Sequence, residues 1–182
     1  KYNSAGMYGG AIMMCDALID GNIISNNAVY DGVITAECGG IYNCDGTIQN
    51  NVISNNTAVL RGGGIMFCDG IIQNNIFSNN TAGSSSGGLG YCRGSILNNT
   101  IYGNISQGQG SGLYQCNPSV IKNNIVWGNS SSQLYNCSAP VYNCIQNWVS
   151  GGEGNISSNP RLKDPLNKDF HLLSDSPCID AG

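Results

Sequence analysis

Apolar residues in this chain come in short bursts, Ile41-Tyr42, Thr47-Ile48 and Val52-Ile53, then Ile65-Met66-Phe67, Ile71-Ile72 and Ile76-Phe77, each closed by Gly, Asn, Asp or Ser. No window holds a run of helix formers with the apolar spacing of three and four that an amphipathic helix requires. Much of the apolar content is β-branched Ile and Val, so the pattern predicts short strands separated by turns. The pattern also repeats. The segment Gly39-Gly40-Ile41-Tyr42-Asn43-Cys44-Asp45-Gly46, continuing through Asn50-Asn51-Val52-Ile53-Ser54 to Ala58, returns 24 residues later from Gly63 to Ala82. It returns again from Gly88 to Asn104, and once more as Gly112-Leu113-Tyr114-Gln115-Cys116 with Asn123-Asn124-Ile125-Val126-Trp127. An earlier unit, Gly10 to Asp16 with Asn22 to Asn27, stands 29 residues before its copy, and Leu134-Tyr135-Asn136-Cys137 with Val141-Tyr142 is a decaying one. A fixed period in this range marks a solenoid, in which each unit buries its apolar face against its neighbours.

The expected fold is therefore all-β: a single-stranded parallel β-helix of about six coils of about 24 residues. Three strands fit each period: the Gly-Ile-Tyr segment before the cysteine, Thr-Ile-Gln after the Asp-Gly turn, and Val-Ile-Ser after the paired asparagines. The Asn-Asn, Asn-Thr-Ala and Gly-Gly stretches read as corners, where positive φ is tolerated. Repeats occupy residues 1–150, and 151–182 form a non-repeat tail that packs on or caps the last coil. The chain opens directly in repeat-like sequence at Lys1-Tyr2-Asn3, which suggests a fragment, a mature product or a first coil covered by something else.

Successive coils lie about 4.8 Å apart, so residues one period apart form columns. Asn51, Asn75, Asn99 and Asn124 make one, whose amides can bond along the axis as Asn ladders do in cross-β stacks. Cys44, Cys68, Cys92 and Cys116 make another, with Cys15 and Cys137 in the flanking units. These thiols fill the interior, pair as axial disulfides or hold a metal, although no Cys-x-x-Cys spacing occurs. Nine cysteines is an odd count, and Cys38, Cys144 and Cys178, outside the column, are the better candidates for disulfide pairing. Asp16, Asp45, Asp69 and Arg93 form a third column. Stacked aspartates can bind calcium or act as a glycosidase pair, but Asp-Gly at 45–46 and 69–70 is first a turn signature whose carboxylate caps its own backbone. Tyr42, Tyr114 and Tyr135 fall two positions before the column cysteine, sharing their column with Met13, Met66 and Gly90. By strand alternation they face outward as an interrupted stripe suited to sugar rings or to another copy of the protein.

The recurring Ile-x-Asn-Asn-x-Ile-x-x-Asn pattern resembles the repeat of right-handed parallel β-helix proteins of the pectate-lyase-like type, over roughly residues 9–146. The tail, Asn159-Pro160-Arg161-Leu162-Lys163-Asp164-Pro165, then Asp169-Phe170-His171-Leu172 and Ser176-Pro177-Cys178-Ile179-Asp180-Ala181-Gly182, is similar to the end of secreted bacterial β-helix proteins carrying a choice-of-anchor Q domain. That second resemblance implies an exported, surface-attached protein.

Composition narrows the function. A net charge of −4 with scattered Lys and Arg offers no basic patch, which argues against nucleic acid. No apolar run approaches a membrane span or a signal peptide. Asn55, Asn79, Asn98, Asn104, Asn129, Asn136 and Asn155 fit Asn-x-Ser/Thr, and all but Asn136, which precedes a column cysteine, are candidate N-glycosylation sites. A polysaccharide lyase needs a base beside acidic groups. Only Arg61, Arg93 and Lys122 are placed to face a groove on the coils, and the lone His171 lies in the tail. The residues thus point to no catalytic set, no metal and no cofactor. The favoured reading is a non-enzymatic extracellular or cell-surface scaffold, adhesin-like or filament-forming, self-associating or contacting glycans. The alternative is a carbohydrate-active enzyme, a polysaccharide lyase or a fragment of one.

Overall fold

The structure, a computed structural model, describes residues 2–30, 36–118 and 120–181. The chain winds as a parallel β-solenoid of about five turns, close to the number of coils expected. Four parallel sheets run along it. The first stacks Ile12–Met13, Ile41–Tyr42, Ile65–Met66, Leu89–Gly90, Leu113–Tyr114 and Leu134–Tyr135; the second stacks Ile19–Asp20, Ile48–Gln49, Ile72–Gln73, Ile96–Leu97 and Ile121–Lys122. The third runs from Ile23–Ser25 through Val52–Ser54, Ile76–Ser78, Thr100–Tyr102 and Ile125–Trp127 to Cys144–Ile145. A fourth stacks Ser4–Ala5, Ala28–Val29, Thr57–Ala58, Thr81–Ala82 and Ile105–Ser106. That fourth sheet corrects the expectation of three strands per coil. The Asn-Thr-Ala segment, expected as a corner, pairs rung to rung, Thr57 with Thr81 and Ala58 with Ala82.

Register follows the sequence period: Ile41 stands on Ile65 and Ile65 on Leu89. The 29-residue spacing is an insertion at one corner, because Ser4 pairs with Ala28 at a spacing of 24 while Tyr8 already bridges Glu37. At the other end, the chain takes five steps from Asn129 to Leu134 where earlier coils take nine, as from Asn104 to Leu113, and the fourth-sheet strand is lost.

Inside, each central coil contributes one residue to each of four columns, such as Ile41, Cys44, Ile48 and Ile53, all with 0% exposure. Cys44, Cys68, Cys92 and Cys116 share a column in the core, with Cys15 and Cys137 half-buried against its two ends. Small thiols at a turn let the flanking isoleucines of the first and second sheets close over the axis.

Beyond Cys144–Ile145, Ile156 still bridges Cys144, so rung geometry extends past residue 150. The tail then folds back as an antiparallel hairpin of Leu162–Asp164 and Asp169–Leu172 around a 3-10 turn at Pro165–Asn167. Asp164 caps that turn by accepting from Asn167 N–H. Phe170 of the hairpin packs edge-on against Tyr102 on the outer face of the third sheet, with ring centroids 5.7 Å apart. No helix among the described residues is long and apolar enough to cross a membrane.

Candidate functional site

The asparagine column expected from the sequence is present and longer than expected. Nδ2 of Asn51 donates to Oδ1 of Asn75 (3.0 Å), Asn75 to Asn99 (3.1 Å), Asn99 to Asn124 (3.0 Å), Asn124 to Asn143 (2.9 Å) and Asn143 to Asn155 (3.3 Å). The same oxygens accept the backbone N–H of the residue one coil back, as from Asn51 N to Asn75 Oδ1 at 3.0 Å. A second ladder, which the sequence reading missed, links Asn3, Asn27, Asn56, Asn80, Asn104 and Asn129. Its signal was available: the second Asn of each Asn-Asn-Thr-Ala recurs with the period, and an unbranched amide repeated at a buried corner is a ladder candidate. Gln133 ends that ladder, accepting from Asn129 Nδ2 at 2.6 Å.

The ladders correct half of the glycosylation expectation. Asn104 and Asn129 are buried within the second ladder, and the Asn155 amide donates to Pro140 O at 2.7 Å while accepting from Asn143. A glycan on any of the three would break these bonds. Asn55, Asn79 and Asn98 sit instead at positive-φ corners, the last two exposed.

The aspartate column also differs from the reading. Each carboxylate caps the next coil rather than its own: Asp16 Oδ1 accepts from Asp45 N, Asp45 from Asp69 N and Asp69 from Arg93 N, at 2.9–3.2 Å. All are exposed, and no group of three or more His, Cys, Asp or Glu among the described residues is placed to hold a metal.

Cys38 stands apart from the other cysteines. It occupies a positive-φ corner whose counterparts one coil away are Gly9 and Gly62, so no thiol lies above or below it, and its Sγ donates to Ile41 O at 2.8 Å. Complete burial pushes this thiol up. Cys144 and Cys178, by contrast, are brought together.

The outward stripe is the most site-like surface. Tyr42, Tyr114 and Tyr135 lie in one column, as expected, with Tyr114 paired to Tyr135. The expected gaps at Met66 and Gly90 are filled. Phe67 and Tyr91, one residue later, carry their rings into the row, giving centroid separations of 4.9 Å from Tyr8 to Tyr42, 5.7 Å to Phe67, 5.0 Å to Tyr91, 5.4 Å to Tyr114 and 5.6 Å to Tyr135. Phe67 and Tyr91 stand, at φ 54° and 52°, at a corner that is left-handed in every coil and is occupied elsewhere by Met14, Asn43, Gln115 and Asn136. Asn tolerates that conformation, whereas a bulky side chain there costs on the order of 1–2 kcal/mol. The strand residues beneath give way. Met66 is fully buried, and at Gly90 the space a Cβ would take is held by the Ser86 hydroxyl. Aromatic at the strand with a polar corner, or aromatic at the corner with a retracted strand residue, yields the same continuous row.

The rings fall into pairs. Phe67 and Tyr91 are inclined by only 19° and Tyr114 and Tyr135 by 8°, while Tyr42 to Phe67 and Tyr91 to Tyr114 turn by 80° and 75°. Faces and edges therefore alternate in direction along the row. One cation sits on it. Arg61 Nη1 donates to the Tyr91 hydroxyl (3.0 Å), its guanidinium lies 5.9 Å from that ring's centroid, and its Nε is 3.2 Å from Glu37. Burial raises Glu37 and Arg61 partly offsets the rise. Arg61 is thus paired, and among the described residues the row is apolar and phenolic without a free charge. Gln115 adds an amide, donating to the Tyr114 hydroxyl at 3.1 Å. The remaining cations raised by the sequence lie elsewhere: Arg93 is exposed beside Asp69, and Lys122 sits 4.9 Å over the Tyr142 ring. His171 is exposed in the tail, its Nδ1 2.6 Å from Asp169.

No protein-family model, no curated protein and no solved structure matches this chain, so the repeat geometry and the aromatic row are the grounds on which its function is argued.

Proposed function

We propose that this chain is a non-enzymatic extracellular scaffold of the adhesin-like kind, whose aromatic row holds neutral glycan chains. The observation that carries the reading is the continuity of the row through Phe67 and Tyr91. Folding does not require an aromatic ring at this left-handed corner, since Met14, Asn43, Gln115 and Asn136 close it in the other coils, and Asn does so at the least conformational cost. Tyrosines offer an apolar ring and a hydroxyl in one rigid side chain, the combination that recognises a sugar's apolar faces and its hydroxyl rim. Neutral rather than acidic glycans fit because Arg61 is already engaged by Glu37 and the chain carries a net charge of −4.

The resemblance to pectate-lyase-like β-helices and to choice-of-anchor Q tails supports an exported, surface-attached setting. The lyase alternative finds less support: Arg61 and Lys122 are each committed to neighbouring groups, and the aspartates beside the exposed Arg93 already accept backbone N–H groups, Asp45 from Asp69 and Asp69 from Arg93. Retention on immobilised neutral glucans, xylans and mannans, compared with uronate polymers, tests the reading. Binding to a neutral polymer that is lost in the Phe67→Asn/Tyr91→Asn variant is expected. Release of unsaturated uronate products by the intact chain would instead establish the lyase.

A further inference from the structure

Cys144 and Cys178 meet where the tail crosses the last coil. Cys144 is buried and fixed on several sides: it pairs with Ile125, bridges Ile156, donates its N–H to Asn124 O at 2.9 Å and directs its Sγ to Ser158 O at 3.2 Å. Cys178 is held in a serine turn, its N–H donating to Ser176 Oγ at 3.1 Å while that hydroxyl donates to Pro160 O at 2.6 Å. The two side chains line one cavity of about 190 Å³ between Asn143, Ile156, Leu172 and Ala181.

We propose that Cys144 and Cys178 form a disulfide that fastens the tail to the solenoid. Disulfides demand side chains already facing each other, and neither residue needs the core to open. The other thiols are worse placed. Cys38 has no thiol above or below it, Cys44, Cys68, Cys92 and Cys116 are fully buried, out of reach of a soluble oxidant, and the half-buried Cys15 and Cys137 at the column's ends have only fully buried thiols next to them. Burial keeps Cys92 and Cys116 protonated. At the proposed pair the hydrogen bond from Cys144 lowers the Cys178 thiol to about 7 and raises Cys144, which makes Cys178, the more exposed of the two, the nucleophile.

The oxidant is a low-molecular-weight disulfide such as oxidised glutathione. The Cys178 thiolate attacks one sulfur of that disulfide, forming a mixed disulfide and expelling one thiolate. Cys144 then loses its proton and attacks Cys178 Sγ, expelling the second thiolate. Two protein thiols are oxidised and one small disulfide becomes two small thiols.

The full chain, fully reduced and then equilibrated with oxidised and reduced glutathione, tests this. Expected are seven free thiols in denaturant where nine are present before oxidation, a mass lower by two hydrogens, and a non-reduced peptide map joining the Cys144 and Cys178 segments. The unfolding midpoint should rise by roughly 8–15 °C, because the link closes a loop of 35 residues (144 to 178 inclusive). Cys144→Ser should stop at a glutathione adduct on Cys178. Nine surviving thiols, a link between two ladder cysteines, an unresolved adduct on the unaltered chain or an unchanged midpoint would each overturn the proposal.

Discussion

Truncating Asn75 to alanine removes four side-chain hydrogen bonds at the centre of a ladder. Its Oδ1 accepts from both the backbone N–H and the Nδ2 of Asn51, each at 3.0 Å, and its Nδ2 donates to Ile48 O at 2.8 Å and Asn99 Oδ1 at 3.1 Å. Not every partner is orphaned. Asn99 Oδ1 still accepts the Asn75 backbone N–H at 2.9 Å, and Asn51 Nδ2 keeps one bond, to Ile19 O at 2.8 Å. What remains unpaired is the backbone N–H of Asn51 and one of its amide hydrogens, in a residue only 1% exposed. At about 1–3 kcal/mol per buried donor left without a partner, the cost is about 2–6 kcal/mol, centred near ~4. For a chain of this size that lowers the unfolding midpoint by roughly 8–16 °C. Thermal and urea unfolding followed by two probes provide the measurement, since a solenoid can lose cooperativity between its ends. The control is Asn74→Gly, one residue away: Asn74 is exposed with φ 56°, a conformation glycine adopts freely, so a change under ~1 kcal/mol is expected. Equal costs for the two substitutions would refute the ladder argument. Asn75→Asp adds a pH signature. A carboxylate there would face two acceptors, Ile48 O and Asn99 Oδ1, so its pKa would be raised in the folded state. Stability should then fall as pH climbs above the ordinary aspartate value of about 4.

Phe67→Asn/Tyr91→Asn should remove two strained conformations and three aromatic contacts together, leaving stability within about 1–2 kcal/mol while abolishing glycan retention on the affinity matrix. A variant that still binds as the unaltered chain does would remove the row from consideration. Gly70→Ala should cost more than ~3 kcal/mol or prevent folding. An added Cβ would fall well inside contact of the Gly46 and Asp45 carbonyl oxygens one coil away, and backbone there cannot retreat; soluble expression and circular dichroism are the readouts. In the tail, His171 and Lys163 hold the Asp169 carboxyl at about 2, below its ordinary 3.8. Because the folded value is depressed, the support it gives the hairpin is present above about 4 and is lost as pH falls toward 2. Carboxyl carbon NMR should show the low titration in the unaltered chain and its return toward the ordinary value in His171→Ala.

The period of 24 determined the fold before any coordinates, and with it the vertical neighbours of every repeated residue, because parallel rungs place like positions on top of one another. The cysteine column from Cys44 to Cys116 and the asparagine ladder from Asn51 to Asn99 follow from that period alone, whereas the pairing of Tyr114 with Tyr135, 21 residues apart, is marked by the shared Leu-Tyr-x-Cys motif. Burial was less legible. Asn104 and Asn79 both match a glycosylation triplet, yet one is in a ladder and the other at an exposed corner, a difference set by which side of a turn faces the axis. Only the tertiary structure decided what lies between columns. Phe67 and Tyr91 belong by sequence to a corner column of Asn43, Gln115 and Asn136. At that shared left-handed corner, a strand neighbour that is buried or lacks a side chain leaves room for their rings in the tyrosine row. The meeting of Cys144 with Cys178 was likewise invisible to any period, since the tail does not repeat and its place on the last coil is fixed by side-chain packing such as Phe170 against Tyr102.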